Sequence, residues 1–352
     1  MITLEEDKLK LLNASKILTA AAIAFGAAGM AGAQEVTLKV AHFLPPNSNA
    51  QVGLIGPWCE KINKESTGRL KCQIYPAMQL GGTPPQLFDQ VRDGISDITW
   101  TVPTYQAGRF IKSEVFELPF MVNTAEKASP ALWDYVQKNS LDEFKGTKVL
   151  FMHLHDGAQL QFGTKAVKSL EDIKGLKIRA ATRLNAKMLT ALGAIPVQMP
   201  APAVPESIAK GVVDGASLPW EVMTPFKMQE ITKFHTETAP GQAKISNTIF
   251  VFAMNQAKYD SLPADLKKVI DNNSGRETSV WAGKVFDATT VASRKIAQDR
   301  HNTFITISAD EYKRWQKATE NVDDDWIKEA NGRGANGKAL LDDARALLKK
   351  YQ

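Results

Sequence analysis

Apolar and polar positions alternate over 36–41, which predicts a strand opening into the loop His42-Phe43-Leu44-Pro45-Pro46-Asn47. The period then changes. Leu54, Trp58 and Ile62 recur at helical spacing over 50–65, and Gly68 stops that helix. Strands are expected at 70–75, 95–101 and 148–153. Helices are expected at 84–92 and at 124–139, the latter with Leu132, Trp133 and Val136 inward. The pattern is most regular from Gly175 onward. A strand-like run to Ala180 delivers Arg179 to its carboxyl end. Thr182 can cap a helix bearing Leu184, Met188 and Leu192, and Gly193 stops it. A second strand is read at 195–199, a short helix ending at Lys210-Gly211, and a third strand and turn at 212–215. Such an alternation predicts a parallel sheet with crossover helices, whose ligands are met beyond the carboxyl ends of the strands. Further on, a helix is expected at 220–229 and a β-prone run at 245–254. A helix opens at Leu262-Pro263, a long one covers 277–299, and a strand covers 305–307. The last two helices are read at 309–330 and 338–350.

A chain of 352 residues is long enough for two domains. Three passages between them make both discontinuous: 34–155 with 245–283, and 156–244 with 284–352. The first 33 residues read as a processing signal. Lys8, Lys10 and Lys16 precede an apolar run from Ile17 to Met30, and Ala31-Gly32-Ala33 supplies the small residues of a cleavage site after Ala33. That run is about 14 residues, short of the roughly 20 that a spanning helix needs. No later stretch is longer and as apolar, so the mature chain is expected to be exported and not membrane-spanning. In an oxidising compartment, Cys59 and Cys72 read as a disulfide or as two buried thiols.

Hydrophobic residues at 44% and charged residues at 23% are those of an ordinary globular protein. The net charge of +5 is spread without a Lys/Arg cluster, so no nucleic-acid partner is expected. Gly332 to Gly337 matches a dinucleotide glycine pattern by letter, but it follows no strand and reads as a link between helices. The chain lacks a Gly-x-Ser-x-Gly elbow, a His-Glu-x-x-His pair and a phosphate loop. His153 and His155 share a strand face without further metal-type spacing. Neither a metal, a cofactor nor a catalytic constellation is expected.

Motifs in serial order then narrow the reading. They are Tyr75-Pro76-Ala77, Gln79-Leu80-Gly81-Gly82, Asp93-Gly94-Ile95-Ser96-Asp97 and Phe116-Glu117-Leu118-Pro119-Phe120. Gly175-Leu176-Lys177-Ile178-Arg179, Leu192-Gly193-Ala194-Ile195-Pro196-Val197 and Gly211-Val212-Val213-Asp214-Gly215 follow. Together they resemble the solute-binding proteins of tripartite ATP-independent periplasmic (TRAP) transporters, over nearly the whole mature chain. The resemblance implies two α/β lobes around a cleft that closes by a hinge. It implies a periplasmic protein that captures an organic acid and delivers it to membrane permease subunits, without ATP hydrolysis. It also implies that Arg179 grips the carboxylate.

Where many relatives have Asp-Gly-Gln-Glu-Asn-Pro, this chain has Asp214-Gly215-Ala216-Ser217-Leu218-Pro219, followed by Trp220-Glu221. That loss of polar positions argues against a polyhydroxylated sugar acid. With Arg179, the expected ligand residues are Phe43, Trp100, Tyr105, His155, Gln159, Phe162 and Trp220, which suit an aromatic or 2-oxo monocarboxylate. The alternative is a C4-dicarboxylate, its second carboxylate held by Arg109, Arg183 or His155. An alternative of another class is an exported enzyme acting on a carboxylic acid, with His155 as base beside Arg179. Truncating Arg179 is expected to weaken binding at least ~100-fold and to leave ligand-free stability unchanged or raised.

Overall fold

In the computed structural model, which describes residues 35–351, the strands gather into two sheets. The expected leader and cleavage site lie outside the described residues. β1 (Val36–His42), β2 (Leu70–Tyr75), β3 (Ile98–Thr101) and β4 (Thr147–Leu154) belong to the first sheet. β5 (Gln159–Phe162), β6 (Lys177–Ala180), β7 (Ile195–Gln198), β8 (Gly215–Leu218) and β9 (Phe234–Glu237) belong to the second. β10 (Ile249–Asn255) returns to the first sheet and β11 (Thr303–Thr306) to the second, giving orders β2-β1-β3-β10-β4 and β11-β9-β5-β8-β6-β7. β6 runs parallel to both β7 and β8, as the strand–helix alternation predicts. β10 lies antiparallel between β3 and β4, and β5 antiparallel between β8 and β9. The chain passes between the sheets after Leu154, after Glu237 and along the helix Arg276–Asp299.

Several elements differ from the sequence pattern for identifiable reasons. The third strand of the central stretch forms at Gly215–Leu218, not at 212–215. Val212 and Val213 instead close the preceding helix, both donating N–H to Ser207 O. β3 begins at Ile98 because Asp97 turns its carboxylate onto the Lys39 N–H at 2.8 Å, and Ile95 is left exposed. The helix expected at 220–229 is only a turn at Trp220–Val222 and a short helix Met228–Ile231, separated by Lys227 in the left-handed region at φ 52°. β5 and β9 were not foreseen, because four residues carry too little periodicity. Cys59 and Cys72 are joined by a disulfide, which decides between the two readings of that pair.

The C-terminal helices are not confined to the second lobe, to which their place in the chain had assigned them. The helix Ala309–Gly332 sends Trp315 into the second-sheet core with Ile178, Met188 and Leu189. It sends Trp326 into the first-sheet core, where the indole N–H donates to Ile111 O at 3.1 Å. The helix Gly337–Tyr351 packs its Leu341 and Leu348 with Leu132 and Val136 of the helix Ala125–Asn139. An apolar stripe records that a helix is covered, but not by what.

Candidate functional site

The carboxyl ends of β1, β3, β4, β6 and β8 converge with the amino end of antiparallel β10 on one cleft. That is the place of a small-molecule site in such sheets. Its first-lobe wall is aromatic. Phe43 stacks on Trp100 at 5.2 Å, and Trp100 stacks on Phe250 at 4.7 Å. Leu218 and Val222 bring apolar surface from the second lobe.

Arg179 is the cation of this cleft. Its β6 register pairs it with Val197 on one side and Ala216 on the other, which buries it almost completely. Nε donates to Met199 O at 3.0 Å and Nη1 to Ser217 O at 2.9 Å. These bonds hold the guanidinium plane rigid. Among the described residues no carboxylate is an ion-pair partner of Arg179, and burial pushes its pKa down, opposed only by the neighbouring Tyr105 phenol. A buried cation without a counter-charge is costly unless an anion completes it. Tyr105 reaches across the cleft and accepts from the Ala201 N–H at 3.2 Å, so both lobes meet at the arginine.

His155 also lines the cleft. Its Nδ1 accepts from the Gly157 N–H at 2.9 Å, which leaves the proton on Nε2, 3.1 Å from Thr248 Oγ1. Burial, with the charges of His153 and Arg179, pulls its pKa to about 3. Both ring nitrogens are thus committed, and this histidine has no free lone pair with which to act as a base beside Arg179.

The structure brings Arg179, Phe43, Trp100, Tyr105 and His155 to one cleft, but not the other three residues. Phe162 points into the second-sheet core with Leu160 and Ile178, because β5 is covered on both faces. Gln159 and Trp220 line a separate polar chamber with Asp156, Glu237 and Arg294, where the Trp220 indole donates to Glu237 Oε1 at 2.9 Å. The cations proposed for a second carboxylate are also occupied elsewhere. Arg109 is held by Asp89 at 2.6 Å and Arg183 by Glu114 and Glu329, and neither lines the cleft. Phe250, Val222 and Glu221 line the cleft without having been foreseen. β10 is apolar at nearly every position, so its alternation is invisible. Leu218 was foreshadowed by the replaced polar motif.

This geometry has close counterparts. The family model of the bacterial extracellular solute-binding protein, family 7, matches residues 40–329. The chain belongs to this family. A TRAP solute-binding protein from Rhodoferax ferrireducens, solved with copurified benzoate, is 47% identical, with 90% of this chain and 98% of that one covered and a TM-score of 0.88. A marine metagenome TRAP solute-binding protein specific for aromatic acid ligands, solved with 3-hydroxybenzoate, is 45% identical over 91% of this chain and 99% of that one, with a TM-score of 0.89. A third, from Bordetella bronchiseptica with bound mandelate, is 29% identical over 90% and 100% of the two chains, with a TM-score of 0.82. The motif resemblance and the two-lobed fold that it implied therefore hold. Among the described residues of this family 7 protein, no helix is long and apolar enough to cross a membrane.

Proposed function

We propose that this TRAP solute-binding protein captures an aromatic monocarboxylate in the periplasm and hands it to the membrane permease subunits of its transporter. The observation that carries the reading is the buried, rigidly held Arg179 without a counter-charge, opening on a cleft walled by Phe43, Trp100 and Phe250. The carboxylate completes the guanidinium, and the ring lies against the aromatic wall. The benzoate, 3-hydroxybenzoate and mandelate of the relatives support this ligand class. The commitments of Arg109 and Arg183 speak against a C4-dicarboxylate, since among the described residues no second cation lines the cleft. We read the protein as binding without chemistry, consistent with its family and with the committed nitrogens of His155. The lobes, 34–155 with 245–283 and 156–244 with 284–352 short of the last helix, hinge at the three passages.

A thermal-shift screen of carboxylic acids followed by titration calorimetry tests this. Benzoate-like acids are expected to stabilise the protein and to be recovered unchanged by mass spectrometry. Stabilisation by succinate or malate and by no aromatic acid would overturn the ligand class, and turnover would overturn the binding role.

A further inference from the structure

Glu221 follows β8 in the turn Trp220–Val222, and its side chain opens on the same cleft as Arg179, Phe43 and Trp100. It is 3% exposed, and its Oε2 has no hydrogen-bond partner. An unpartnered, buried carboxyl oxygen is expensive, and native structures rarely keep one without use. Arg179 does not serve it, because that guanidinium donates to Met199 O and Ser217 O. Asp156 is the charge that acts on Glu221.

We propose that Glu221 determines specificity within the cleft, its carboxyl receiving a hydroxyl carried on the aromatic ring of an acid whose carboxylate rests on Arg179. This rests on the aromatic-acid reading above and adds the substituent that the cleft selects. A phenolic hydroxyl both donates and accepts, and so does a carboxylic acid in its neutral form. Burial first, and the nearby Asp156 second, push the Glu221 pKa well above the carboxylate range. The neutral acid therefore pairs with a hydroxyl without repelling an anionic ligand. An unsubstituted ring leaves Oε2 unpaired.

The test is calorimetric titration of benzoate and its monohydroxylated isomers into the parent, Glu221→Met and Glu221→Gln. On the parent, at least one isomer should bind about tenfold tighter than benzoate, the worth of one hydrogen bond in a closed site. Glu221→Met should lose that preference and bind benzoate and its isomers alike. Glu221→Gln, isosteric and uncharged at every pH, should keep the preference and abolish the fall of benzoate affinity with rising pH that the parent shows as Glu221 ionises. Should Glu221→Met not fold, this pH comparison decides the matter. Equal parent affinity for benzoate and every isomer, a preference that survives in Glu221→Met, or identical pH profiles for parent and Glu221→Gln would overturn the proposal and leave the aromatic-acid reading standing. Failure of the folded parent to bind any aromatic acid would overturn both.

Discussion

Arg179 serves the fold and the ligand with different nitrogens. Its Nε and Nη1 tie Met199 O to Ser217 O across β6, and the remainder of the fork faces the cleft. Binding should fall at least ~100-fold in Arg179→Ala, because the carboxylate loses a charge-assisted pair and stays buried. Arg179→Lys keeps the charge but not the planar fork, and should bind at an intermediate level. The two carbonyl bonds change the expectation for stability. Their loss leaves buried acceptors unpaired, so ligand-free Arg179→Ala should be destabilised by about 1–3 kcal/mol, not left unchanged or stabilised. Calorimetry with benzoate and a urea melt without ligand read the two effects separately. Binding within a few-fold of the parent would remove Arg179 as the clamp, and an unshifted melt would remove its structural role. Only half of this residue was legible in the sequence. The motif located the arginine at a strand end, but its carbonyl partners lie 20 and 38 residues away in the chain.

Among the elements, the long helix Arg276–Asp299 has the most exacting contact. It crosses the start of the helix Ala125–Asn139 at Gly283, where a Cβ would stand 2.4 Å from Ala125 O and 2.6 Å from Ala125 C. One turn later, Asp287 accepts from the Ala125 and Glu126 N–H groups at 2.9 and 2.8 Å, placing a carboxylate on a helix N-terminus. Gly283→Ala must push two backbones apart and should cost roughly 1–3 kcal/mol in a urea melt, the usual range for overpacking. A neutral outcome would mean that the crossing is loose. A glycine inside a helix pattern ordinarily reads only as a weak helix former. Its use here depends on a helix that precedes it by more than a hundred residues.

For the whole molecule, buried titratable groups set the pH response. Glu117 accepts from Thr104 Oγ1 at 2.6 Å and from the Ile249 N–H at 3.0 Å, yet burial raises its pKa to about 8. Between its ordinary value of 4.5 and 8, the folded protein keeps a proton that the unfolded chain has lost, so stability falls as pH rises through that window. Asp156 and Glu221 are shifted in the same direction, first by burial, with the charge of Asp287 adding to the one and that of Asp156 to the other. Buried His153 and His155 act oppositely. Burial lowers their pKa from 6.5 to about 4 and about 3, so the folded state lacks protons that the unfolded chain binds, and stability rises up to pH 6.5. The two sets oppose each other below pH 6.5, and only the carboxyls act above it. The stability of the ligand-free protein should therefore decline between pH 6.5 and 8, by up to roughly 1.4 kcal/mol per pH unit for each such group, and its melting temperature should fall with it. Glu117→Gln should flatten that slope, and a flat or rising parent profile would contradict it.

Periodicity and motif order were sufficient for the α/β class, the parallel core of the second sheet, the family and the strand-end arginine. These follow from local spacing, and local spacing is written in the chain. What the tertiary structure decided was direction. Phe162 and Phe250 are both aromatic residues on fully buried strands, yet one faces a core and the other the cleft. A strand covered on both faces has no polar side to mark its orientation. The tail helices likewise showed their apolar stripes but not which lobe would cover them. The cysteine pair remained open until helix and strand were packed together. Glu221 looked like any surface glutamate until the turn after β8 buried it facing the cleft. Burial and facing are properties of the packed chain, because they depend on partners that sequence neighbours do not name.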